Sequence, residues 1–224
     1  LLENVDRLLK SPTAQRGRDF AIILSCLYRL GYSVEWRVIN AADYGMPQRR
    51  RRVYIYAEHD APTWNLHERL FRTGVEARAF PIKMDSRNDG ESFNISSDPY
   101  ESTQNFGRGD KVSRFREAGV MQNGRVMTYR VEPVYDGEYR TIGDILVPAS
   151  EVPEEFFITG DSLKTWEYLK GGKREARTAK NGHEYIYSEG PVAFPDPADK
   201  PSRTILTSEG GRGASRTKHV VMQD

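Results

Sequence analysis

Apolar residues recur at two different spacings in the first 58 residues, and each spacing predicts a different element. A stripe with members three or four residues apart predicts a helix over residues 15–30, and its members are Phe20, Ile23, Leu24, Leu27 and Leu30. Residues 32–39 and 52–57 are rich in β-branched and aromatic side chains and predict two strands, with a loop over residues 40–47 between them. The order helix, strand, loop, strand is typical of part of an α/β sheet.

The chain opens on Leu1-Leu2-Glu3-Asn4-Val5, without an initiator methionine and without the basic start of a signal peptide. We interpret it as the end of a buried strand that leads into a short helix, with Asn4 as the N-cap. This opening predicts that the chain begins inside a domain.

The pattern changes after Glu58. Residues 82–118 are rich in Ser, Asn, Asp, Gly and Arg and predict long loops. Short strands are predicted at 125–131, 184–187 and 203–207, the first two close to Asn-Gly turn signals. We therefore expect an irregular β-rich second domain, over residues 59–195, after an α/β part over residues 1–58. Residues 196–224 are expected to return towards the first domain.

Composition narrows the class of protein. Hydrophobic residues make up 38% and charged residues 29% of 224, which predicts a globular protein with a core. No apolar run approaches the ~20 residues of a membrane helix, so no membrane partner is expected. A single cysteine, Cys26, excludes a disulfide framework and a Cys-rich metal site, so no metal is expected; in the predicted helix we interpret it as a packing residue. The cytoplasm is the expected compartment.

The net charge is only +1, but the cations are clustered. Residues 48–52 read Gln-Arg-Arg-Arg-Arg directly before a strand. Since side chains alternate on a strand, Gln48, Arg50 and Arg52 should share one face and Arg51 the other. Neighbouring guanidiniums suit phosphates or a base carbonyl. On its own, the run equally fits a solvated edge strand that resists aggregation, or a nuclear-localisation signal.

Glu3 also allows two interpretations. An acid at the start of a helix is favoured by the helix dipole. Alternatively, a carboxyl group at the C-terminal edge of an α/β strand lies where such sheets place their ligands.

Taken together, these residues resemble a known family. Glu3-Asn4-Val5, then Gln48-x-Arg50-x-Arg52 across a helix and a strand, resembles the cytosine-5 DNA methyltransferases of bacterial restriction–modification systems. Lys200-Pro201-Ser202-Arg203-Thr204-Ile205, followed by Gly210-Gly211, is similar to the family motif that follows the variable target-recognition region. The resemblance implies the end of a Rossmann-like catalytic domain that uses S-adenosylmethionine, followed by an irregular β-rich target-recognition domain.

The resemblance also implies roles for individual residues. Glu3 would protonate or hydrogen-bond N3 of a flipped-out cytosine, and Arg52 would hold its O2. Arg50 would face the nucleophile loop or a backbone phosphate. Asn4 would brace the catalytic loop, and Gln48 would support this geometry. The target base must leave the helical stack because C6 is unreachable inside a duplex.

The sequence departs from the family in three respects. No Pro-Cys pair supplies the nucleophile, no early glycine-rich motif binds the methyl donor, and the family's final motif is missing. The resemblance therefore implies that the missing parts, the donor site among them, lie upstream of Leu1 and downstream of Asp224. The 224-residue chain alone is expected to be inactive. Two alternatives therefore stay open: a DNA-binding module without catalysis, and a tRNA methyltransferase of the same family, against which the long insert between the late motifs argues.

Double-stranded DNA is the expected partner of a monomer in the bacterial nucleoid, with a possible restriction endonuclease acting on the same site. The predicted DNA contacts are Thr204, Gly210, Gly211, Lys170, Lys173, Arg174 and Arg177, the last four with Lys180 in one basic segment. The alternative for that segment is an exposed basic hairpin. We interpret the nearby aromatic residues, Phe156, Phe157, Trp166 and Tyr168, as core.

Overall fold

The computed structural model describes residues 1–87, 89–211 and 213–223. Contacts divide the chain into two compact units. The N-terminal unit comprises Leu1–Gly45 and Arg50–Glu138, and the C-terminal unit comprises Met46–Arg49 and Tyr139–Asp224. Helices and strands are mixed in the manner of an α/β methyltransferase domain, whereas the Rossmann-like arrangement stays a prediction. The predicted domain limits also stay a prediction. They were drawn by function, as a catalytic and a target-recognition domain, whereas the two units are defined only by their internal contacts.

The N-terminal unit is built on a six-stranded sheet in the order β1-β3-β2-β6-β7-β5. Every pair of neighbours in it is antiparallel. Its strands are β1 (Leu2–Asn4), β2 (Tyr32–Asn40), β3 (Arg51–His59), β5 (Gly90–Asn94), β6 (Ala118–Gln122) and β7 (Arg125–Tyr129). A separate ribbon pairs β4 (Ile82–Met84) with β8 (Val131–Pro133).

Helices cover the sheet of this unit. They are α1 (Arg18–Arg29), α2 (Leu66–Glu68), α3 (Val75–Ala79) and α4 (Pro99–Asn105), with a π-helical turn over Arg69–Thr73 and 3-10 turns over Asp6–Lys10 and Ala41–Tyr44. The predicted helix is thus present as α1, and the two strands predicted after it are present as β2 and β3. Gly31 ends α1 with φ 79°, a backbone conformation that glycine adopts without steric cost.

The core of the N-terminal unit follows the apolar pattern of α1 and the sheet. Phe20 and Leu24 of α1 pack on Trp36 of β2 and on Val53 and Ile55 of β3, all almost fully buried. Burial of each such side chain stabilises the fold by about 1.5–3 kcal/mol. Cys26 of the same helix is exposed to solvent, as is Leu30 just beyond its end, so the interpretation of Cys26 as a packing residue was wrong.

The prediction of long loops over residues 82–118 was wrong. The stretch contains β4, β5 and α4, and it adds Ile95 and Phe115 to the core. The first strand also differs from its prediction, because β1 is exposed at the sheet edge rather than buried. Asn4 belongs to β1, and Val5 takes the N-cap position of the turn that follows.

Buried charges fasten residues 69–80 to the sheet. Glu35, on β2, accepts from Arg69 Nε at 2.6 Å and from the backbone amides of Val75 and Glu76 at 3.2 and 3.1 Å. Arg37, two residues along, donates to the carbonyls of Leu70 and Glu76 at 2.8 Å each, and to that of Phe80. Burial lowers the pKa of Arg37, and burial raises the pKa of Glu76 to about 7.

The C-terminal unit has little apolar core. Its regular elements are α5 (Gly160–Lys170), β9 (Lys173–Thr178), β10 (Glu184–Glu189) and 3-10 turns over Gly143–Ile145, Ala149–Glu151, Glu154–Phe156 and Thr207–Glu209. Among the residues that the structure describes in this unit, the buried hydrophobic side chains are Ile142 and Trp166.

Several predictions for the C-terminal unit were wrong. Residues 203–206 form no strand, although β10 lies where a strand was predicted. Phe156, Phe157 and Tyr168 are 55, 46 and 63% exposed, so only Trp166 of the four aromatic residues packs as core. In the described part of the chain, no helix has the length and apolar character needed to cross a membrane.

Candidate functional site

Glu3 lies against two arginines at the edge of the N-terminal sheet. β1 pairs with β3 so that Glu3 stands opposite Tyr54, which brings its carboxylate beside the start of β3. Arg52 Nε is 3.1 Å and Arg50 Nη2 is 3.9 Å from Glu3 Oε1. The structure therefore brings together the three residues that the sequence singled out, 47 to 49 positions apart.

The alternation along β3 separates these arginines from their neighbour. Arg51 points to the other face and pairs with Asp6 at 2.9 Å and Glu117 at 3.7 Å. Arg52 is the least exposed of the group, with 19% of its side chain accessible, and it also donates to the carbonyl of Arg51 at 2.7 Å. Arg52 is therefore held on two sides, while the Glu3 carboxylate stays 44% accessible.

This arrangement can bind a planar polar ring. A carboxyl group accepts or donates one hydrogen bond, and the guanidinium beside it offers several donors in a fixed plane. The pair thus suits a ring that carries a nitrogen next to a carbonyl oxygen. As an ion pair alone it is half exposed and would stabilise the fold by less than about 1 kcal/mol.

The other residues predicted for this site have local contacts. Asn4 Oδ1 accepts from the amide of Val5 at 2.8 Å. Gln48 lies in the C-terminal unit, where its backbone forms a parallel bridge with Ser202. The amide of Arg49 donates to the Ser202 carbonyl at 2.8 Å, and that of Ser202 donates to the Pro47 carbonyl at 2.8 Å. The glutamine segment and the late Lys-Pro-Ser-Arg-Thr segment are therefore paired with each other.

Thr204 closes the same pairing. Its hydroxyl donates to the carbonyl of Arg49 at 2.6 Å, which leaves the oxygen free to accept from another group. The predicted DNA contact of Thr204 stays a prediction, beside this structural role.

Arg203 joins three segments of the C-terminal unit, a role that the sequence did not predict. It binds Asp196 through two nitrogens, at 2.9 and 3.2 Å, and donates to the carbonyls of Thr217 and Lys218 at 3.1 and 3.2 Å. Although burial of Asp196 raises its pKa, the hydrogen bond from Arg203 and the amide of Val220 outweigh burial, and the pKa is lowered. The available signal was the position of Arg203 inside the late motif; nothing in the sequence marked Asp196.

Gly210 and Gly211 form an open turn beside a buried lysine. Lys218 Nζ donates to the carbonyls of Gly211 and Gly213 at 2.8 and 2.6 Å. Gly211 has φ 88°, and a side chain at either Gly210 or Gly211 would meet no atom within 4 Å. The described glycines thus leave room for an approaching backbone, and their DNA contact stays a prediction; Arg212, between them and Gly213, lies outside the described residues.

The basic segment is a hairpin of β9 and β10, with Asn181-Gly182 in its turn. Lys173 and Arg177 lie on one face. Lys173 stands 4.4 Å from the ring centre of Tyr168, and Arg177 stacks 3.7 Å over Tyr187 while it pairs with Glu175 at 3.0 Å. Arg174 points from the opposite face, which is exposed.

Lys170 does not lie with the other cations. It is 1% exposed, and its ammonium donates to the carbonyl of Lys218. Burial lowers its pKa. In this structure Lys170 therefore fastens α5 to residue 218 and cannot reach a DNA phosphate, contrary to its predicted role.

Two further observations limit the chemistry. Among the described residues, no group of three or more His, Cys, Asp or Glu side chains could hold a metal ion. Cys26 lies within α1 and is preceded by Ser25, so it does not form the Pro-Cys pair that would carry a nucleophile.

Comparison with known proteins decides the family. A family model described as C-5 cytosine-specific DNA methylase matches residues 1–210. The chain belongs to this family. The match includes Glu3, Arg50, Arg52 and Arg203. No solved structure is similar enough to this chain to count as a match.

The relatives are restriction–modification enzymes by name. Type II methyltransferase M.Sau3AI of Staphylococcus aureus is 42% identical over 235 residues, which cover all of this chain and 54% of that protein. M.BsuFI of Bacillus subtilis is 36% identical over 102 residues, 46% of this chain and 24% of the relative. M.NlaIV of Neisseria lactamica is 48% identical over 59 residues, which cover 25% of this chain and 14% of that protein. The chain thus spans about half the length of M.Sau3AI, and a tRNA methyltransferase or a non-catalytic module is not favoured.

Proposed function

We propose that the protein containing this chain transfers a methyl group to C5 of a cytosine within a specific site of duplex DNA. The observation that carries the proposal is the placement of Glu3 beside Arg52 and Arg50, in a chain that belongs to the cytosine-5 DNA methylases. S-adenosylmethionine would supply the methyl group; we assign no residue of this chain to its binding.

The three residues act on the ring of a cytosine that has left the helix. Glu3 hydrogen-bonds or protonates N3, which draws electron density from the ring and favours addition at C6. Arg52 holds O2, and its bond to the Arg51 carbonyl keeps the guanidinium in place. Arg50, which is farther from Glu3, contacts a neighbouring phosphate or the loop that carries the nucleophile. Asn4 and Gln48 support these positions.

The C-terminal unit, in this proposal, docks on the DNA around the target. Thr204, Gly210 and Gly211 meet the DNA backbone, and so does Lys173 of the hairpin; Arg177 contributes less, because Glu175 already balances its charge. A restriction endonuclease with the same site is the proposed partner in a system of the kind the relatives' names describe. The protein acts as a monomer in the bacterial cytoplasm, where the chromosomal DNA of the nucleoid lies.

The test is methyl transfer by the full-length protein. Labelled S-adenosylmethionine is incubated with duplex DNA, with the same DNA in single strands and with transfer RNA, and labelled bases are separated. The proposal expects 5-methylcytosine in the duplex above all. Label in adenine, at the exocyclic nitrogen of cytosine, or mainly in RNA would overturn it.

A further inference from the structure

We infer that the exposed face of the β9–β10 hairpin reads base edges in the major groove of duplex DNA. This face, called the reading face below, consists of Arg174, Ala176, Thr178, Glu184, Ile186 and Ser188. The inference rests on the proposed function, and it deepens it by naming the residues that choose the DNA site.

The first argument is the shape of the hairpin. It is a two-stranded antiparallel ribbon with six paired positions, Glu184 opposite Thr178 at the tip and Glu189 opposite Lys173 at the root. The major groove, about 12 Å wide, admits a ribbon of two strands. No third strand is hydrogen-bonded to β9 or β10 among the described residues, so both edges of the ribbon are open to a groove.

The second argument is that the two faces of the ribbon differ. On the inner face, Arg177 is stacked on Tyr187 and paired with Glu175, and Glu189 is paired with Arg216 at 2.8 Å. The cations and acids there already have protein partners. On the reading face, every residue is exposed.

The third argument is the chemistry of the reading face. Arg174, opposite Ser188, has no ion pair among the described residues, and its planar guanidinium matches O6 and N7 of guanine. Ile186 is 60% exposed beside Ala176, its cross-strand partner. An exposed isoleucine and alanine contribute little to a fold but form an apolar contact suited to the methyl group of thymine. Glu184, near the tip, is the acid of this face and suits the amino group of a cytosine.

The fourth argument is that the root of the hairpin is fixed. Arg216 donates to the carbonyls of Leu169 and Gly171 at 2.9 and 3.0 Å, and to that of Gly190. The residues that follow Arg216, Thr217 and Lys218, are held in turn by Arg203. A ribbon anchored in this way presents its exposed face in one orientation, which reading by direct hydrogen bonds requires.

The experiment compares variants of the full-length protein on duplexes with a randomised central segment. Bound duplexes are sequenced, and methylated cytosines in the same pool are mapped. Arg174→Ala, Arg174→Lys and Ile186→Ala are compared with Lys164→Ala, which removes an exposed cation of α5 from the same unit. Thermal unfolding of each variant verifies the fold, which these exposed positions should leave unchanged.

We expect Arg174→Ala and Arg174→Lys to lose selection of one guanine by about tenfold, because lysine keeps the charge but not the fork. Ile186→Ala should lose selection of one thymine, and replacing that thymine by uracil should weaken the unmodified protein but not the variant. Lys164→Ala should select the same site as the unmodified protein.

Other outcomes overturn the inference. Unchanged selection by the Arg174 and Ile186 variants would make the face a solvated surface. A change only in self-association would make it a contact between copies of the chain, and unselective binding by the unmodified protein would remove the reading role. If the protein selects a site but methylates nothing, the proposed function fails, while the selection data still judge this inference.

Discussion

The two units of the chain differ in the interactions that stabilise each of them internally. In the N-terminal unit, an apolar cluster around Phe20, Trp36 and Phe115 is buried between α1 and the sheet. In the C-terminal unit, two buried hydrophobic side chains stand among the described residues, and arginine or lysine side chains that bind backbone carbonyls do much of the joining. Hydrophobic burial tolerates changes that conserve volume, whereas a bound guanidinium depends on one residue.

The difference suits the proposed tasks. A catalytic pair such as Glu3 and Arg52 needs strands that a core holds still. A surface that reads DNA needs polar groups and open loops, and it can vary while its anchors remain. Substitutions that should affect one unit and not the other therefore test both the proposed catalytic role of the N-terminal unit and the proposed DNA-reading role of the C-terminal unit.

The largest effect is expected at Glu3. Glu3→Gln in the full-length protein should slow methyl transfer by about 100- to 10,000-fold, because glutamine keeps the size but cannot supply a proton. DNA affinity and thermal stability should barely change, since the carboxylate is half exposed. Single-turnover kinetics with labelled methyl donor measures the rate; a loss below about threefold would reduce Glu3 to a structural edge residue.

The next effect separates alternate arginines of one strand. Arg52→Ala should lower the rate of methyl transfer by about 100-fold, as expected when one preorganised donor is removed, with a smaller effect from Arg50→Ala. Arg51→Ala, on the opposite face, and Arg49→Ala should leave the rate within a few-fold. Duplex affinity, measured in parallel, should change little for Arg52→Ala. Loss of activity in the Arg49 and Arg51 variants alone would show that the strand faces are assigned wrongly.

Sequence reasoning succeeded where spacing or residue type fixes the element. Helix α1 and the shared side of Arg50 and Arg52 follow from spacing, and strands β2 and β3 follow from their β-branched and aromatic residues. It failed where polar contacts decide: Asp196 and Arg216 bind partners through distant carbonyls or charges that no periodicity marks. It also misjudged Phe156, Phe157 and Tyr168, because apolar type predicts burial only where other apolar groups exist to cover it.

Arg203→Ala tests the polar construction of the C-terminal unit. Asp196 is 3% accessible, so loss of Arg203 leaves a buried carboxylate unpaired and should destabilise the unit by about 3 kcal/mol. Urea unfolding followed by Trp166, the single tryptophan of this unit, should show the loss. Arg51→Ala, which breaks exposed pairs, is the control and should cost less than about 1 kcal/mol. Equal effects would mean that the two units do not differ as described.

The units should also respond to pH with opposite signs. The pKa of Glu76 is raised by burial from 4.5 to about 7, so between these values the folded chain keeps a proton that the unfolded chain has released. Stability of the N-terminal unit should therefore fall as pH rises from about 4.5 to 7, by a loss of about 3 kcal/mol. Glu76→Gln should remove this slope in urea unfolding followed by Trp36 and Trp64.

Asp196 supplies the contrast, because its pKa is lowered in the folded chain. Its stabilisation is present above the ordinary aspartate pKa and is lost as pH falls through the lowered value. Trp166 fluorescence should therefore report unfolding of the C-terminal unit only at acid pH, and Asp196→Asn should weaken that dependence. A common pH profile for all three tryptophans would contradict the division.

The smallest effect concerns the cations of the hairpin. Each lysine that contacts a phosphate should contribute about 0.9 to the slope of log affinity against log salt. Because Lys170 is buried and Arg177 is paired with Glu175, we expect the contribution from Lys173 and Lys180 instead. Replacing both lysines by alanine should flatten the slope by about 1.8 on cognate and scrambled duplexes alike. Arg177→Ala should change it by less than one contact, since Glu175 already balances its charge. A larger change for Arg177→Ala than for the double lysine variant would mean that DNA displaces Glu175 and that Arg177, rather than Lys173 and Lys180, contacts the phosphates.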